Sequence, residues 1–147
     1  MRTKHAITKK LDIPADAAWE AIRAMGRFEV WFPIIETCRV EGEGRGAVRY
    51  MTLVGGGEIK DLIEDIDDGQ KRLTYLSPVS PFAVTYYQGT VEVFRSYDDS
   101  AVVVWTVDFE SRPEEAASIA ELVRSAISDG IDGLENDLRA PPCTPAA

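Results

Sequence analysis

An acid inside an apolar stripe is the first position in this 147-residue chain with chemical promise. Asp61 lies between Ile59 and Ile63 in a segment of strand-like alternation, so the three share one face. A carboxylate placed there needs a partner or is driven toward its neutral form. Arg49, on the facing strand of a glycine-rich hairpin, is a candidate partner. Two readings stay open: a solvated ion pair near the hairpin mouth, or a polar site in a hydrophobic pocket.

Tyr86 and Tyr87 are adjacent, so one faces inward, where it offers an apolar ring with a hydroxyl for orienting a ligand. Tyr75 and Tyr50 offer the same chemistry more weakly. Glu110 ends a strand, and alternation with Trp105, Val107 and Phe109 turns it outward. His5 is the only histidine and falls on an edge-strand segment near the surface. With Cys38 isolated, the sequence holds no zinc constellation and no Cys-His or Ser-His-Asp set. Gly55-Gly56-Gly57 lacks the lysine and helix of a phosphate loop and reads as a turn or mobile lid. Neither a metal nor a cofactor is expected.

These residues need a scaffold, and its main element is the stretch from Ser111 to Arg139. Ser111 and Glu114 have the spacing of a capping box, with Pro113 in the first turn. Ala116, Ala120, Val123, Ile127, Ile131, Leu134 and Leu138 then recur every three or four residues, predicting a helix of about 40 Å with one apolar face. Gly130 and Gly133 interrupt it at ~1 kcal/mol each relative to alanine. They mark either a close approach of neighbouring backbone or a void left for a ligand.

Almost everything before that helix reads as strand. Lys4–Asp12 alternates, and Pro14 stops it. Asp16 can cap a short helix that ends at Gly26, and Arg27–Phe32 forms another short turn closed by Pro33. Phe28, Trp31 and Phe32 are too many aromatics for an exposed segment and should plug one end of the sheet. Strands follow over 34–41, 47–54, 58–67, 71–77, 84–97 and 101–110, joined by short turns such as Asp68-Gly69. Seven sequential antiparallel strands sharing an apolar face predict an α+β fold: a curved sheet around one C-terminal helix, with two short helices after strand 1. The inward side chains are mostly medium-sized, so some empty volume is expected. One domain is expected over 1–139, with a disordered tail over 140–147.

A formal charge of −9, without a basic cluster, argues against nucleic acid and anionic lipid surfaces as partners. The longest apolar runs fall short of a membrane span, and the N-terminus lacks a signal-peptide core. Two cysteines in separate regions give no disulfide framework. The reading is a cytoplasmic monomer or homodimer without membrane insertion.

The order of these elements, with Ile13-Pro14-Ala15, Ala18-Trp19, Trp31-Phe32-Pro33, Gly46-Ala47-Val48-Arg49, Asp65-Ile66-Asp67-Asp68, Leu73-Thr74-Tyr75 and Trp105-Thr106-Val107, resembles the START-like helix-grip superfamily. Within it the chain looks like the polyketide cyclase/dehydrase and lipid-transport branch (SRPBCC). The chain is also similar to the plant abscisic-acid receptors of that superfamily. Their gate is replaced by Gly55-Gly56-Gly57, their latch pair by Phe82-Ala83, and their hormone-binding lysine falls at Phe32. The resemblance therefore implies a shared cavity position rather than a hormone response. It places Arg49, Leu53, Asp61, Tyr87, Glu110, Leu122, Ala126 and Gly130 around that cavity, turning Glu110 inward through a bulge.

The first expectation is a binding module for a small hydrophobic partner molecule such as a lipid, a polyketide-like compound or an aromatic. Leu53, Ile59, Ile63, Tyr87, Val91, Leu122, Ala126 and Ile127 form its wall, with Arg49 and Asp61 orienting a polar end. The second is a cyclase or dehydratase using Asp61 or Tyr87 in the same cavity. An interaction protein with a filled core would instead show an exposed aromatic patch near Trp31.

Overall fold

The computed structural model describes residues 1–139, and the expected tail over 140–147 lies outside the described residues. In chain order the elements are β1 (Arg2–Pro14), α1 (Ala15–Ala24), α2 (Phe28–Trp31), β2 (Ile35–Glu41), β3 (Val48–Leu53), β4 (Glu58–Asp67), β5 (Arg72–Val79), β6 (Val84–Arg95), β7 (Ser100–Ser111) and α3 (Ala116–Arg139). The seven strands form one antiparallel sheet in the order β1-β7-β6-β5-β4-β3-β2. Alternation sets its faces. In β7, Ala101, Val103, Trp105, Val107 and Phe109 are buried while the side chains between them are half-buried. The concave face meets Ile119, Val123, Ile127, Ile131 and Leu134 of α3, so sheet and helix share one core.

Two element ends differ from the sequence expectation. The capping box at Ser111 does not form, because Ser111 remains in β7, with its N–H on the Met1 carbonyl at 3.0 Å. Its hydroxyl donates to the Arg112 carbonyl, and α3 starts at Ala116 after a tight turn over 113–115. The first short helix stops on Met25 rather than Gly26. Met25 takes a left-handed conformation at φ 65° and donates to the Ile22 carbonyl at 3.2 Å. That backbone costs a non-glycine residue about 1–2 kcal/mol. Burying the Met25 side chain contributes about 1.5–3 kcal/mol, enough to offset it. Asp16 makes no cap and pairs with Arg95 instead, at 2.9 Å.

The glycines of α3 mark a close approach. A Cβ on Gly133 would lie 2.1 Å from the Trp31 carbonyl oxygen and 2.6 Å from its Cα, and one on Gly130 would lie 2.2 Å from the Phe32 ring. The α2 segment therefore rests directly on α3. Asp137 fastens it, accepting from Arg27 Nε at 2.8 Å, Arg27 Nη2 at 2.7 Å and Trp31 Nε1 at 3.0 Å. Trp31 itself is buried, and among the described residues no exposed aromatic patch forms around it.

Gly133→Ala should lower stability although alanine favours helix by ~1 kcal/mol, because the clashing atoms are backbone and overpacking costs about 1–3 kcal/mol. A fall in Tm of roughly 2–6 °C is expected by circular dichroism; an unchanged or higher Tm would place α2 away from α3. The Arg27 guanidinium, with the Trp31 N–H, holds the Asp137 carboxyl below its usual range. Its stabilising share is complete above about pH 4 and is lost as pH falls through the lowered folded value. The Tm difference between wild type and Arg27→Gln should accordingly shrink on acidification below that point.

Candidate functional site

The site begins with a cross-strand pair. Arg49 of β3 and Asp61 of β4 are directly opposite in register, on the concave face. Arg49 Nε and Nη2 donate to Asp61 Oδ2 at 3.1 and 2.6 Å, and the Ser77 hydroxyl of β5 donates to Oδ1. The pair is not the solvated one that composition alone allows: Arg49 is 1% exposed and Asp61 2%. Burial at this depth is tolerable only because each charge meets its opposite and further hydrogen bonds occupy the remaining sites. The guanidinium also lies 3.7 Å from the centre of the Phe28 ring and 5.4 Å from that of Tyr75, adding cation–π attraction.

Next to this pair, a half-open cavity lies between the sheet and α3. Phe28, Phe32, Trp105, Tyr75, Tyr87 and Phe82 supply six aromatic rings to its lining. Ile34, Ile35, Met51, Ile59, Val123, Ala126 and Ile127 complete an apolar wall, with Asp61 and Ser80 as further polar members. Free space amounts to about 70 Å³. A cavity of roughly 150 Å³ accommodates benzene, so the rings leave less room than medium-sized side chains alone would. A broader groove of about 600 Å³ between α2 and α3, lined by Val30, Trp31, Asp129, Asp132 and Asp137, is open to solvent and lacks this enclosure.

The tyrosines are the other polar groups inside. Trp105 Nε1 donates to the Tyr75 hydroxyl at 3.0 Å. Burial pushes the Tyr75 and Tyr87 hydroxyls above the ordinary phenol range, with the Asp61 charge adding to the effect. Both therefore keep their protons near neutral pH. Burial likewise raises the Cys38 thiol, whose Sγ donates to the Met25 carbonyl at 3.7 Å.

Of the residues singled out in the sequence, Ile59, Asp61, Tyr87, Ala126 and Ile127 meet at this cavity, with Arg49 behind Asp61. Ile63 and Val91 are buried on the same concave face but outside the lining. Leu53 is half-buried against Gly57 in the β3–β4 hairpin. Gly130 is buried behind the Phe32 ring, so that ring, not Gly130, meets the cavity. Leu122 is 58% exposed, because it precedes the buried Val123 on the solvent side of α3. Glu110 faces outward, where it pairs with the Met1 amino group at 2.7 Å. The irregularity near it falls in β6, between Val84 and Tyr86, and leaves the alternation of β7 intact. Tyr86 is the outward tyrosine, beneath the Arg2 guanidinium at 4.1 Å.

Sequence reasoning missed Ser77, Trp105, Phe28 and Phe32 as site members. Ser77 had a signal, since it continues the buried 73, 75, 77 alternation of β5. Among the described residues no group of three or more His, Cys, Asp or Glu side chains could hold a metal, and no helix is long and apolar enough to cross a membrane.

Comparisons with known proteins extend the fold. The family model described as polyketide cyclase / dehydrase and lipid transport matches residues 2–139. No curated protein matches. Among solved structures, the protein XoxI from Bacillus cereus is 22% identical with a TM-score of 0.82, over 95% of this chain and 99% of its own. An uncharacterized protein from Bacillus thuringiensis is 24% identical with a TM-score of 0.80, over 94% of this chain and 100% of its own. Norcoclaurine synthase from Thalictrum flavum, solved in complex with dopamine and hydroxybenzaldehyde, is 19% identical with a TM-score of 0.78, over 94% of this chain and 87% of its own. At these identities the likeness is one of fold.

Arg49→Met should destabilise the protein by about 3–5 kcal/mol in urea unfolding, because Asp61 is left buried without its counter-charge. Arg49→Met with Asp61→Leu should recover most of that loss. A single-variant cost under ~1 kcal/mol would mean that the pair is solvated.

Proposed function

Because the chain belongs to the polyketide cyclase / dehydrase and lipid transport family, we propose that it binds a small hydrophobic molecule in the cavity between its sheet and α3. The observation that carries this reading is the combination of an apolar, half-open cavity with a few convergent polar groups at one side. Ile59, Ala126 and Ile127 serve as wall, while Asp61, fixed by Arg49 and Ser77, forms a rigid polar border. That a synthase of the same fold holds two small aromatic molecules is in keeping with an aromatic guest here.

Phe82 and Ser80 of the β5–β6 loop border the cavity, and the Phe82 ring stacks on that of Tyr87 with centres 6.2 Å apart. A guest larger than the free 70 Å³ enters by displacing a lining ring, and Phe82, on a connecting loop, has the fewest constraints on moving. The triple glycine hairpin, with positive φ at Gly55, Gly56 and Gly57, adjoins the lining residue Ile34, whose carbonyl accepts from the Val54 N–H at 2.9 Å.

A cyclase or dehydratase working in the same cavity is the second reading. It is favoured by two protonated tyrosine hydroxyls beside a carboxylate. Against it, both Asp61 oxygens already accept hydrogen bonds from Arg49 and Ser77, so the group best placed for proton transfer is engaged.

Native mass spectrometry and solvent extraction of purified protein should reveal a bound small hydrophobic molecule. With α-methylstyrene as an added apolar probe, ligand-detected NMR should show saturable binding to the wild type. Ala126→Phe projects a ring into the cavity at little cost in helix propensity and should weaken the probe at least about tenfold. Equal binding by a folded Ala126→Phe variant would move the site elsewhere.

A further inference from the structure

The hydrogen-bond inventory of the cavity narrows the class of molecule it holds. Tyr75 is seated by a missing side chain: a Cβ on Gly89 of β6 would lie 2.1 Å from its ring. The ring therefore lies across the β6 backbone, with its hydroxyl held at 3.0 Å by Trp105 Nε1. An indole N–H donates and never accepts, so the direction of this bond is fixed and one lone pair of the Tyr75 oxygen is taken. Tyr87 lines the same cavity, and burial keeps both phenols protonated. Two hydroxyl protons are thus present, and a contact between the two tyrosines uses at most one. At least one O–H is left over, and both side chains line the cavity.

The opposite balance holds at Asp61. Its Oδ2 takes two Arg49 N–H groups and its Oδ1 takes the Ser77 hydroxyl, so the charge is matched within the wall. The guest accordingly meets a closed ion pair rather than a free carboxylate or a free cation. An anionic guest would be buried without a counter-charge, at a cost of several kcal/mol. Around this centre the surfaces are flat: Phe28, Phe32, Phe82 and Trp105 present rings. Such walls favour a guest that is itself planar.

Building on the binding role proposed above, we infer that the guest is an uncharged aromatic compound whose carbonyl or other acceptor oxygen takes the spare O–H of the Tyr75–Tyr87 pair. Trp105 acts as a positioning residue, orienting Tyr75 so that the pair presents a donor toward the cavity. Because both phenols stay protonated well above neutral pH, this preference should be flat from pH 6 to 9.

Acetophenone and α-methylstyrene test the inference, since they share size and shape and differ in a C=O against a C=CH2. Wild-type protein should bind acetophenone roughly three- to tenfold more tightly, the worth of one hydrogen bond. The infrared carbonyl stretch of bound acetophenone should move to lower frequency. In the double variant Tyr75→Phe/Tyr87→Phe, which removes both O–H groups, the ratio should fall close to one and the shift should disappear. α-Methylstyrene affinity should stay within about twofold of wild type in that variant. Equal binding of the two compounds by the wild type, or a preference that survives in the double variant, overturns the donor assignment and leaves the binding role standing. Binding of neither compound overturns the binding role and the guest class together.

Discussion

Two missing side chains fix the distance between α2 and α3, and most of the interior follows from that distance. Gly133 lets the Trp31 backbone touch the helix, and Gly130 admits the Phe32 ring. With α2 set down there, Phe28 stacks on Phe32 at 4.7 Å between ring centres, and both pack against Trp105 of β7. The aromatic cluster thus joins the α2 segment to β7. Each glycine sacrifices about 1 kcal/mol of helix propensity. Burial of a Trp and two Phe side chains, at about 1.5–3 kcal/mol apiece, exceeds that sacrifice several-fold.

The same cluster explains how a charged pair survives in the core. Arg49 is covered by the Phe28 ring, so α2 supplies the lid that removes the guanidinium from water. Such a pair is weak as a source of stability, because desolvation consumes most of the Coulombic gain. Its consequence is geometric. Three donors hold the Asp61 carboxylate in one orientation, which locks β3, β4 and β5 together beneath the cavity. The polar border is thus fixed by the sheet, whereas Phe82 comes to the lining from the β5–β6 loop.

Elements with an unbroken period were readable from the sequence, since a period of two or 3.6 is a property of the chain itself. The seven strands, α1 and the apolar face of α3 belong to this class, whereas α2 is bracketed by Gly26 and Pro33. Element ends were less readable. Ser111 has the chemistry of a helix cap, but its backbone is claimed by Met1 across the sheet, a contact between residues 110 positions apart. Gly26 has the chemistry of a helix stop, but burial of Met25 draws the left-handed residue one position earlier. Within the site, alternation picked out Asp61, Ile59 and one of two tyrosines. It could not tell whether Arg49 and Asp61 would be wet or dry, because that depends on Phe28 from a distant segment. Positions carried over by resemblance fared unevenly. Ala126 meets the cavity, whereas Leu122, one turn earlier, is turned to solvent.

The open choice at Gly130 shows why a glycine in a helix resists a single explanation. A Cβ there would drive into Phe32, so the residue marks a close approach. Phe32 is also a wall of the cavity, and the depth to which its ring sinks against α3 sets how far it projects toward Tyr75 and Trp105. Close packing on one side of the ring and free volume on the other are then the same fact viewed from two directions. The cavity exists because the helix yields a Cβ's worth of space to the ring behind it. Its size is therefore coupled to helix packing rather than to the strands alone. Medium-sized inward side chains on the sheet do not by themselves produce a hollow when six aromatic rings converge on it.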